Sequence, residues 1–350
     1  MLYEEARVYL DHVSKYGSVL GLDSIRSLLD ELGNPQKDLT FIHIAGTNGK
    51  GSILAYLSCV LTEAGYRTGR YISPTVMAYL ERFQIDGEYM EKDEYAEITG
   101  EVKQAAERLI EKGRPSPTAF EIETAIAFLY FKKYNCDYVV LETGLGGLLD
   151  ATNVVENTKV CVFASISMDH TGVLGNTLEE IAKNKAGIIK AGAAVVTSPQ
   201  KGEVLSVLRR KAEKMQCPVT VAEPEKAHVT ASTLGEQRFS YKEFENMTIH
   251  LAGQHQIENA VTALEIIRVL RRSGADIRED AVKKGLENAR WPGRFEVLKR
   301  QPLVIADGAH NEDAAKRLAQ NVDAYLAGRK IIAVIGVFQD NEYDKIIRRT

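Results

Sequence analysis

A glycine-rich turn between a strand and a helix is the segment of this sequence best suited to bind phosphate. It covers residues 46–52, Gly-Thr-Asn-Gly-Lys-Gly-Ser, and directly follows the apolar run Phe41–Ala45. A turn at a helix N-terminus presents backbone N–H groups to an anion. Lys50 would neutralise the outer phosphates, and the Ser52 hydroxyl is placed to bind Mg²⁺. The spelling differs from the common G-x-x-x-x-G-K-[ST] motif, because Gly51 separates the lysine from the serine.

Three other polar groups follow predicted strands. Glu142 ends the apolar run Tyr138–Glu142, and a carboxylate at that position can hold Mg²⁺ directly or through water. Ser73 and His170 each come after a short apolar run. Taken singly, each has another explanation: Glu142 as a surface acid at a strand end, Ser73 as part of a turn, and His170 as a hydrogen-bonded structural residue. Ligands of a parallel sheet should collect at the carboxyl ends of its strands, where the loops converge.

Short apolar runs alternate with longer helical patterns through most of the chain. The predicted strands are Phe41–Ala45, Tyr138–Glu142, Val160–Ile166 and Ala193–Thr197. The predicted helices between them are Ser52–Ala64, Ala119–Lys133 and Leu178–Ile189. This alternation indicates an α/β fold with a mostly parallel sheet covered by helices.

The pattern changes further along the chain. Short alternating segments between residues 219 and 249 predict a small antiparallel insertion at the edge of the first domain. A helix is expected at Gln256–Ser273, followed by a second helical stretch that ends at Asn288.

A Pro-Gly pair within residues 289–294 predicts a domain boundary, because these residues punctuate elements. Beyond it, apolar runs at Leu303–Ala306 and Ile331–Val337 predict strands on either side of a helix at Glu312–Leu326. A chain of 350 residues is also longer than one ordinary domain. We therefore expect a first domain over residues 1–290, a linker over 291–296, and a smaller, Rossmann-like α/β domain over 297–350.

The composition is that of a globular protein and argues against several classes. A formal net charge of −4 disfavours a general nucleic-acid binder, whose surface would be basic. The four cysteines are scattered, which disfavours a disulfide framework or a structural zinc site. The N-terminal residues lack the pattern of a signal peptide, and no apolar run has the length of a membrane span. We expect a cytoplasmic protein with neither nucleic acid nor membrane as a partner.

The variant spelling of the turn, GTNGKGS, resembles the Mur ligase superfamily, and particularly its folylpolyglutamate synthase and dihydrofolate synthase branch. Further segments extend the resemblance over essentially the whole chain, namely Ser73-Pro74, Leu141–Asn153, Asp169–Lys190, 253–260 and 291–296. The resemblance implies an ATP-dependent ligase that adds L-glutamate to a folate, and possible substrates include dihydropteroate. It makes residues 1–290 the ATP- and folate-binding domain and residues 297–350 part of a glutamate-ligase domain.

The same resemblance implies ATP and two Mg²⁺ ions as cofactors. The nucleotide would be held by Thr47, Asn48, Gly49, Lys50, Gly51 and Ser52. One Mg²⁺ would be bound by Ser52, Ser73 and Glu142, and the second would be served by Glu142 and His170. Lys185 matches the lysine that family members carbamylate, and its carbamate would be an anionic metal ligand where an ammonium would repel the ion. K⁺ is a further candidate cation.

Four residues are assigned by resemblance to the nucleotide or to the incoming glutamate. Asn259 would contact the adenine, and Arg294 would bind phosphate at the hinge between the domains. Asp307 would contact the nucleotide, and His310 would act near the glutamate, which makes it a catalytic candidate with Lys50, His170 and Lys185. Without the family, a polar helix start is the favoured explanation of Asn259, and a helix cap explains Asp307 adequately.

Three segments resemble the pteroate-binding pieces of the family and favour a folate over a cell-wall precursor. They contribute Leu20, Gly21, Leu22, Asp23, Thr118, Phe120, Glu121, Leu149, Asp150 and Ala151. Phe120 is explained equally well by core packing. About 40 residues precede the phosphate-loop strand, fewer than the added N-terminal domain of Mur-type cell-wall ligases would need.

Two departures from the family pattern leave alternatives open. Leu148 stands where the family has an arginine, beside the expected folate or metal loop. The chain also ends at Thr350, soon after residues 336–340, which resemble the family's third C-terminal strand and following loop, so we expect a C-terminally truncated second domain with an unpaired sheet edge. The competing interpretations are a catalytically impaired nucleotide-binding relative and a Mur-type ligase with another amino-acid acceptor. We expect a monomer.

Overall fold

The structure is a computed structural model and describes residues 1–15, 17 and 21–336. Within these residues the helices are α1 Tyr3–Ser14, α2 Asp23–Glu31, α3 Lys50–Glu63, α4 Lys92–Glu111, α5 Ala119–Lys133, α6 Thr171–Leu174, α7 Leu178–Lys185, α8 Gly202–Lys214, α9 Gln254–Arg272, α10 Glu279–Asn288 and α11 Glu312–Leu326. The strands are β1 Phe41–Ala45, β2 Thr68–Tyr71, β3 Phe83–Ile85, β4 Glu88–Tyr89, β5 Tyr138–Glu142, β6 Thr158–Phe163, β7 Ala194–Thr197, β8 Val219–Val221, β9 His228–Ser232, β10 Gln237–Tyr241, β11 Phe244–Ile249, β12 Glu296–Arg300 and β13 Leu303–Ala306.

An eight-stranded sheet organises the larger unit, with the order β4-β3-β2-β5-β1-β6-β7-β8. Strand β3 pairs antiparallel with β2 and β4, and the other neighbouring pairs are parallel. Strand β1 is buried along its whole length between β5 and β6. A central parallel strand is covered on both faces, which explains its continuous apolar run. The predicted α/β class with a mostly parallel sheet is confirmed.

Alternate residues of β1 pack into different cores, as the two-residue period of a strand requires. Ile42 and Ile44 face a core that includes α3, α9 and α10. Phe41 faces a second core built on α1, α2, α4 and α5, whereas Ala45 faces a third core built on α7 and α8. The sheet is therefore packed between layers of helices. The loops at its carboxyl edge begin at strand ends that this packing holds in place.

The predicted antiparallel insertion is present, but it begins later in the chain than predicted. Strand β8, Val219–Val221, pairs parallel with β7 and is the last strand of the main sheet. The separate three-stranded sheet has the order β11-β10-β9 and begins at His228. Three residues are too few to show a period, so the pattern of β8 could not separate it from the strands that follow.

Within the described residues, the second, smaller unit consists of a hairpin and a helix. Strands β12 and β13 pair antiparallel, and α11 packs on them through a small core around Phe295 and Leu326. The predicted strand Ile331–Val337 is wrong for residues 331–336, which are not in a strand. Ile332 and Val334 are exposed, and no described strand lies beside them to pair with their backbone. Residues 337–340, and with them the expected third strand's end and loop, lie outside the described residues.

A helix that crosses a bilayer needs about 20 consecutive, predominantly apolar residues. None of those in residues 1–15 and 21–336 combines the length and the hydropathy needed to cross a membrane.

Candidate active site

The phosphate loop leaves the centre of the sheet and enters α3. Gly49 precedes the helix with a φ of 92°, in the left-handed region that favours glycine. Gly46 passes so close to Ala164 that a Cβ at this position would overlap the alanine side chain. The N–H groups of Lys50 and Ser52 lie in the first turn of α3, where no earlier turn supplies an acceptor. These groups are free to meet an anion.

The backbone N–H groups of Thr47 and Asn48 already have hydrogen-bond acceptors within the protein. Their N–H groups donate to the carbonyl oxygen of Ser165 at 2.7 and 3.2 Å, respectively. The Thr47 hydroxyl also exchanges hydrogen bonds of 3.1 Å with the backbone of Ser167. The first half of the turn is therefore fastened to the loop after β6, and its second half carries the available donors.

Two lysines converge on the carbonyl oxygen of Gly46. Lys50 Nζ lies 3.2 Å from it and Lys185 Nζ lies 2.9 Å from it. Lys185 is 4% exposed, and burial, together with the charge of Lys50, lowers its pKa to about 7. Two cations in a largely dry pocket are unfavourable unless an anion joins them, so this arrangement is suited to a polyphosphate.

Glu142 is the buried carboxylate of the site. It lies 3.7 Å from Lys50 Nζ, and the backbone N–H of Ser73 acts to lower its pKa. Burial raises the pKa of Glu142, although the charges of Lys50 and Arg294 act in the opposite direction. The Ser73 hydroxyl is buried without a hydrogen-bond partner. A carboxylate beside an orphaned hydroxyl fits a hard cation such as Mg²⁺.

His170 does not join this pair in a metal cluster. It begins α6 in a left-handed conformation, with its side chain 58% exposed and its nearest acidic neighbour Asp169 at 3.9 Å. Across the described part of the chain, no group of three or more His, Cys, Asp and Glu side chains is arranged to hold a metal ion. Ser73 and Glu142 offer two donors, a number compatible with Mg²⁺ that keeps water and phosphate oxygens as ligands. The second Mg²⁺ site stays a prediction.

Asn259 and Arg294 lie near the loop. Asn259 is 9% exposed in α9, and its Oδ1 occupies the space into which a Cβ of Gly49 would project. Arg294 influences the pKa of both Glu142 in the larger unit and Asp307 in the smaller one. A Cβ on Gly308 would lie 3.2 Å from Arg294 Nη1, so its guanidinium lies beside the loop that precedes α11.

Asp307 and His310 lie in the loop between β13 and α11. The Asp307 carboxylate accepts hydrogen bonds of 2.8 Å from the N–H groups of Phe295 and Ala309. His310 is exposed, and its Nδ1 lies 2.8 Å from the carbonyl oxygen of Gly308. Asp307 thus fastens the linker to this loop, whereas His310 is open to an incoming substrate.

The predicted folate residues fall into connected groups. Thr118 and Glu121 form a capping box at the start of α5, and Glu121 also accepts a hydrogen bond of 3.1 Å from Ser24. This bond joins α5 to the start of α2, where Asp23 is exposed. Gly21 and Leu22 precede Asp23, whereas Leu20 lies outside the described residues.

The other group surrounds the loop after β5. The ring of Phe120 lies where a Cβ of Gly144 would project. Asp150 is buried and accepts a hydrogen bond of 2.7 Å from the N–H of Leu145, which holds this loop closed. Ala151 is also buried, whereas Leu149 is 41% exposed. Asp150 and Ala151 thus support the loop from its buried side, and Leu149 at its tip provides the exposed surface.

Three residues near the site were missed by sequence reasoning. Arg70 is buried in β2 with its guanidinium 4.9 Å from the ring centre of Trp291. His43 is buried in β1, 2.9 Å from Thr152 Oγ1, and burial lowers its pKa to about 3. Neutral His43 and Thr152 stand behind Asp150, to which Thr152 donates through its N–H at 3.0 Å. For His43 the available signal was a polar side chain within the otherwise apolar strand β1.

Comparison with known proteins places this site in a family. The model for the Mur ligase middle domain matches residues 44–267, and the model for the Mur ligase glutamate ligase domain matches residues 293–349. The dihydrofolate synthase/folylpolyglutamate synthase of Bacillus subtilis (strain 168) is 38% identical, covering 99% of this chain and 82% of its own length. The chain belongs to the folylpolyglutamate synthase/dihydrofolate synthase family of the Mur ligases.

Solved structures of this family have the same fold. The folylpolyglutamate synthase of Thermotoga maritima has a TM-score of 0.88 at 37% identity, over 99% of this chain and 80% of that one. A structure described as an FPGS–AMPPCP–folate complex has a TM-score of 0.92 at 31% identity, over 100% of this chain and 86% of that one. The predicted family is thereby confirmed, whereas the predicted domain limits stay predictions.

A contact between the linker and the phosphate-loop helix predicts the effect of a small substitution. A Cβ on Gly51 would lie inside the ring of Trp291, which is 6% exposed. Gly51→Ala should therefore lower the free energy of unfolding by about 1–3 kcal/mol through overpacking. It should also weaken nucleotide binding, because the first turn of α3 must shift. Denaturant unfolding and titration with a non-hydrolysable ATP analogue would measure both effects.

Gly100 provides the matched control. It lies within α4, and a Cβ at this position would meet no heavy atom within 4 Å. Gly100→Ala should leave nucleotide binding unchanged and raise stability by up to about 1 kcal/mol. Equal effects of Gly51→Ala and Gly100→Ala on stability and nucleotide binding would contradict the contact between Gly51 and Trp291.

Proposed function

We propose that this chain is an ATP-dependent ligase that adds L-glutamate to a folate through an acyl phosphate. The observation that carries the proposal is the phosphate loop with Lys50 and Lys185 on one carbonyl oxygen, facing the buried carboxylate of Glu142. The fold is that of a solved family complex with AMPPCP and folate, which supports both ligands for this chain.

The chemistry needs two steps, because a carboxylate is a poor electrophile. An oxygen of the folate carboxylate attacks the γ-phosphorus of ATP, and the bond from that phosphorus to the bridging oxygen of ADP breaks. The amine of glutamate then attacks the acyl carbon, losing a proton, and phosphate leaves with the carboxylate oxygen. Both reactants of the first step are anions, so the protein contributes mainly positioning and positive charge. His310 is exposed near the loop to meet the glutamate.

Residues of the larger unit would hold the nucleotide and its metal. The donors of Lys50, Gly51 and Ser52 would bind the phosphates, with Thr47, Asn48 and Gly49 shaping the turn. Asn259 would contact the adenine, while Arg294 and Asp307 would close on the nucleotide from the linker side. Ser52, Ser73 and Glu142 would hold Mg²⁺, which neutralises phosphate charge when bound. His170 would serve a second Mg²⁺ with Glu142.

Lys185 is proposed to act as a carbamate. Its amine is buried beside the loop and has a pKa of about 7, so a neutral, nucleophilic form is available near neutral pH. Its nitrogen would attack CO₂ and lose a proton, which converts a repelling cation into an anionic ligand. Lys185→Arg should lower kcat about 10²-fold or more, because a guanidinium cannot form this group.

Dependence on CO₂ would distinguish this role from a structural one. Wild-type enzyme freed of CO₂ should lose activity and regain it when bicarbonate is added, and Lys185→Arg should not respond. Lys183→Arg is a suitable control, since Lys183 is exposed on the same helix and pairs with Glu179 at 3.0 Å. A wild-type rate that is independent of bicarbonate at every pH tested would contradict the carbamate.

The folate would lie against the loops after β5 and before α5. Phe120 and the tip of the loop at Leu149 offer an apolar surface there, with Asp150 and Ala151 beneath it. Thr118 and Glu121 cap α5, and Glu121 also accepts a hydrogen bond from Ser24, the residue after Asp23. Such a surface suits the flat pterin and benzoyl rings of a folate or of dihydropteroate.

A substrate comparison tests the proposed function. Purified protein is incubated with Mg-ATP, labelled glutamate, and either dihydropteroate or tetrahydrofolate, and phosphate release is followed. Glutamate-dependent phosphate release with one of these pterins supports the proposal. Nucleotide binding without turnover would indicate an impaired relative, and turnover only with a cell-wall nucleotide would indicate another Mur-type ligase.

A further inference from the structure

The side chain of Asn48, in the middle of the phosphate loop, contacts the smaller unit. Its Nδ2 donates to Asn311 Oδ1 and to Asp313 Oδ2, both at 3.1 Å. Its Oδ1 accepts a hydrogen bond of 3.1 Å from Asn311 Nδ2. The two amides thus form a reciprocal pair that joins the two units at the turn expected to hold ATP.

Asn311 connects three segments at once. Its Oδ1 also accepts a hydrogen bond of 2.9 Å from the N–H of Ala314, which caps α11. Its Nδ2 also lies 3.4 Å from Asp169 Oδ2, in the loop after β6. Asn311 is 7% exposed, so each of these groups depends on the others for its hydrogen bonds.

Other contacts keep α11 in place independently of this amide pair. Arg317 pairs with Glu258 of α9 at 3.2 Å. The hydroxyl of Tyr325 lies 2.9 Å from Ser232 Oγ of β9 and accepts a hydrogen bond of 3.1 Å from the N–H of Gly253. These contacts lie along the rest of the helix, so the loss of the amide pair would not detach the smaller unit.

We propose that Asn311 is a positioning residue that couples the phosphate loop to the smaller unit. Asn48 stands directly before Gly49 and the first turn of α3, so its anchorage sets the orientation of the phosphate-binding N–H groups. Nucleotide binding at the loop and the seating of α11 therefore stabilise each other, and the coupling acts equally in both directions. This inference rests on the proposed function, since it takes the loop as the ATP site.

Asn311→Ser separates this role from the capping of α11. Serine keeps an oxygen at the N-cap but is too short to reach Asn48. The variant should weaken binding of a non-hydrolysable ATP analogue about 10-fold and raise the KM for ATP, with a smaller change in kcat. The matched control is Asn288→Ser, at the exposed end of α10, where Asn288 bonds only to Glu63 among the contacts found in the described residues. It should bind the nucleotide as the wild type does.

A double-mutant cycle gives the decisive result. Asn48→Ala and Asn311→Ser should weaken binding non-additively, because each removes the same amide pair. Wild-type affinity in Asn311→Ser, or additive effects of the two substitutions, would overturn the coupling. Wild-type protein that binds no nucleotide would overturn the proposed function, and the coupling with it.

Discussion

Replacement of Lys50 by alanine should lower kcat/KM for ATP by about 10³-fold or more while the fold stays intact. The ammonium lies 3.2 Å from Gly46 O, 3.4 Å from Thr47 O and 3.7 Å from the Glu142 carboxylate, so its charge is held over the loop. Phosphoryl transfer between anions depends on such a charge. Steady-state kinetics and circular dichroism would measure the two parts of this expectation.

Lys103→Ala is the control for the removal of a lysine. Lys103 lies on α4 and pairs with Glu107 at 3.7 Å, on the protein surface. This variant should keep wild-type kinetics. If Lys50→Ala retained a rate within about tenfold of the wild type, the loss would be below that expected for one electrostatic contact, and the assignment of the loop would be wrong.

Glu142→Gln should separate activity from stability. We expect turnover to fall about 10²–10³-fold, because the amide removes the negative charge that would hold Mg²⁺. The melting temperature should stay the same or rise, because the carboxylate is buried and its burial raises its pKa. Activity assays over a range of Mg²⁺ concentrations and thermal unfolding would measure both effects.

The sign of the pH dependence follows from the raised pKa of Glu142. The folded protein binds this proton more readily than the unfolded chain, so this group's favourable contribution is present below the ordinary pKa of 4.5. That contribution is lost as the pH rises through the higher pKa of the folded state. The stability of Glu142→Gln relative to the wild type should therefore increase with pH above about 4.5.

A second buried carboxylate should behave in the opposite way. Glu265 is 1% exposed and pairs with Lys242 at 2.6 Å and with Arg268 at 2.9 Å, away from the phosphate loop. Glu265→Gln should lower stability, because it removes the buried counter-charge of Lys242 and Arg268, and should leave activity unchanged. Similar profiles for the two variants would argue against a special role for Glu142.

Elements with a strong local signal could be predicted from the sequence alone. The predicted bounds of β1, β5, β13, α5 and α11 agree with the structure. Helix α5 illustrates the reason, since Thr118 and Glu121 supply a capping box directly before a long apolar pattern. The phosphate loop was recognisable because its glycines, lysine and serine are adjacent in the chain.

Features that depend on partners distant in the chain could not be predicted in this way. Strand β8 belongs to the main sheet only because β7 lies beside it, and residues 331–336 are not in a strand because no described strand pairs with them. The pair of Asn48 and Asn311 joins residues 263 positions apart. Trp291 was visible as the only tryptophan, but nothing in its neighbours indicated that it packs on Gly51.

The transfer of oxygen-18 from the folate to phosphate would test the central claim most directly. Dihydropteroate or tetrahydrofolate labelled in its reacting carboxylate is turned over with unlabelled Mg-ATP and glutamate, and the released phosphate is analysed by mass spectrometry. An acyl phosphate formed at the loop of residues 46–52 predicts one labelled oxygen in each phosphate. Product formation with unlabelled phosphate would contradict the acyl phosphate and the role assigned to this site.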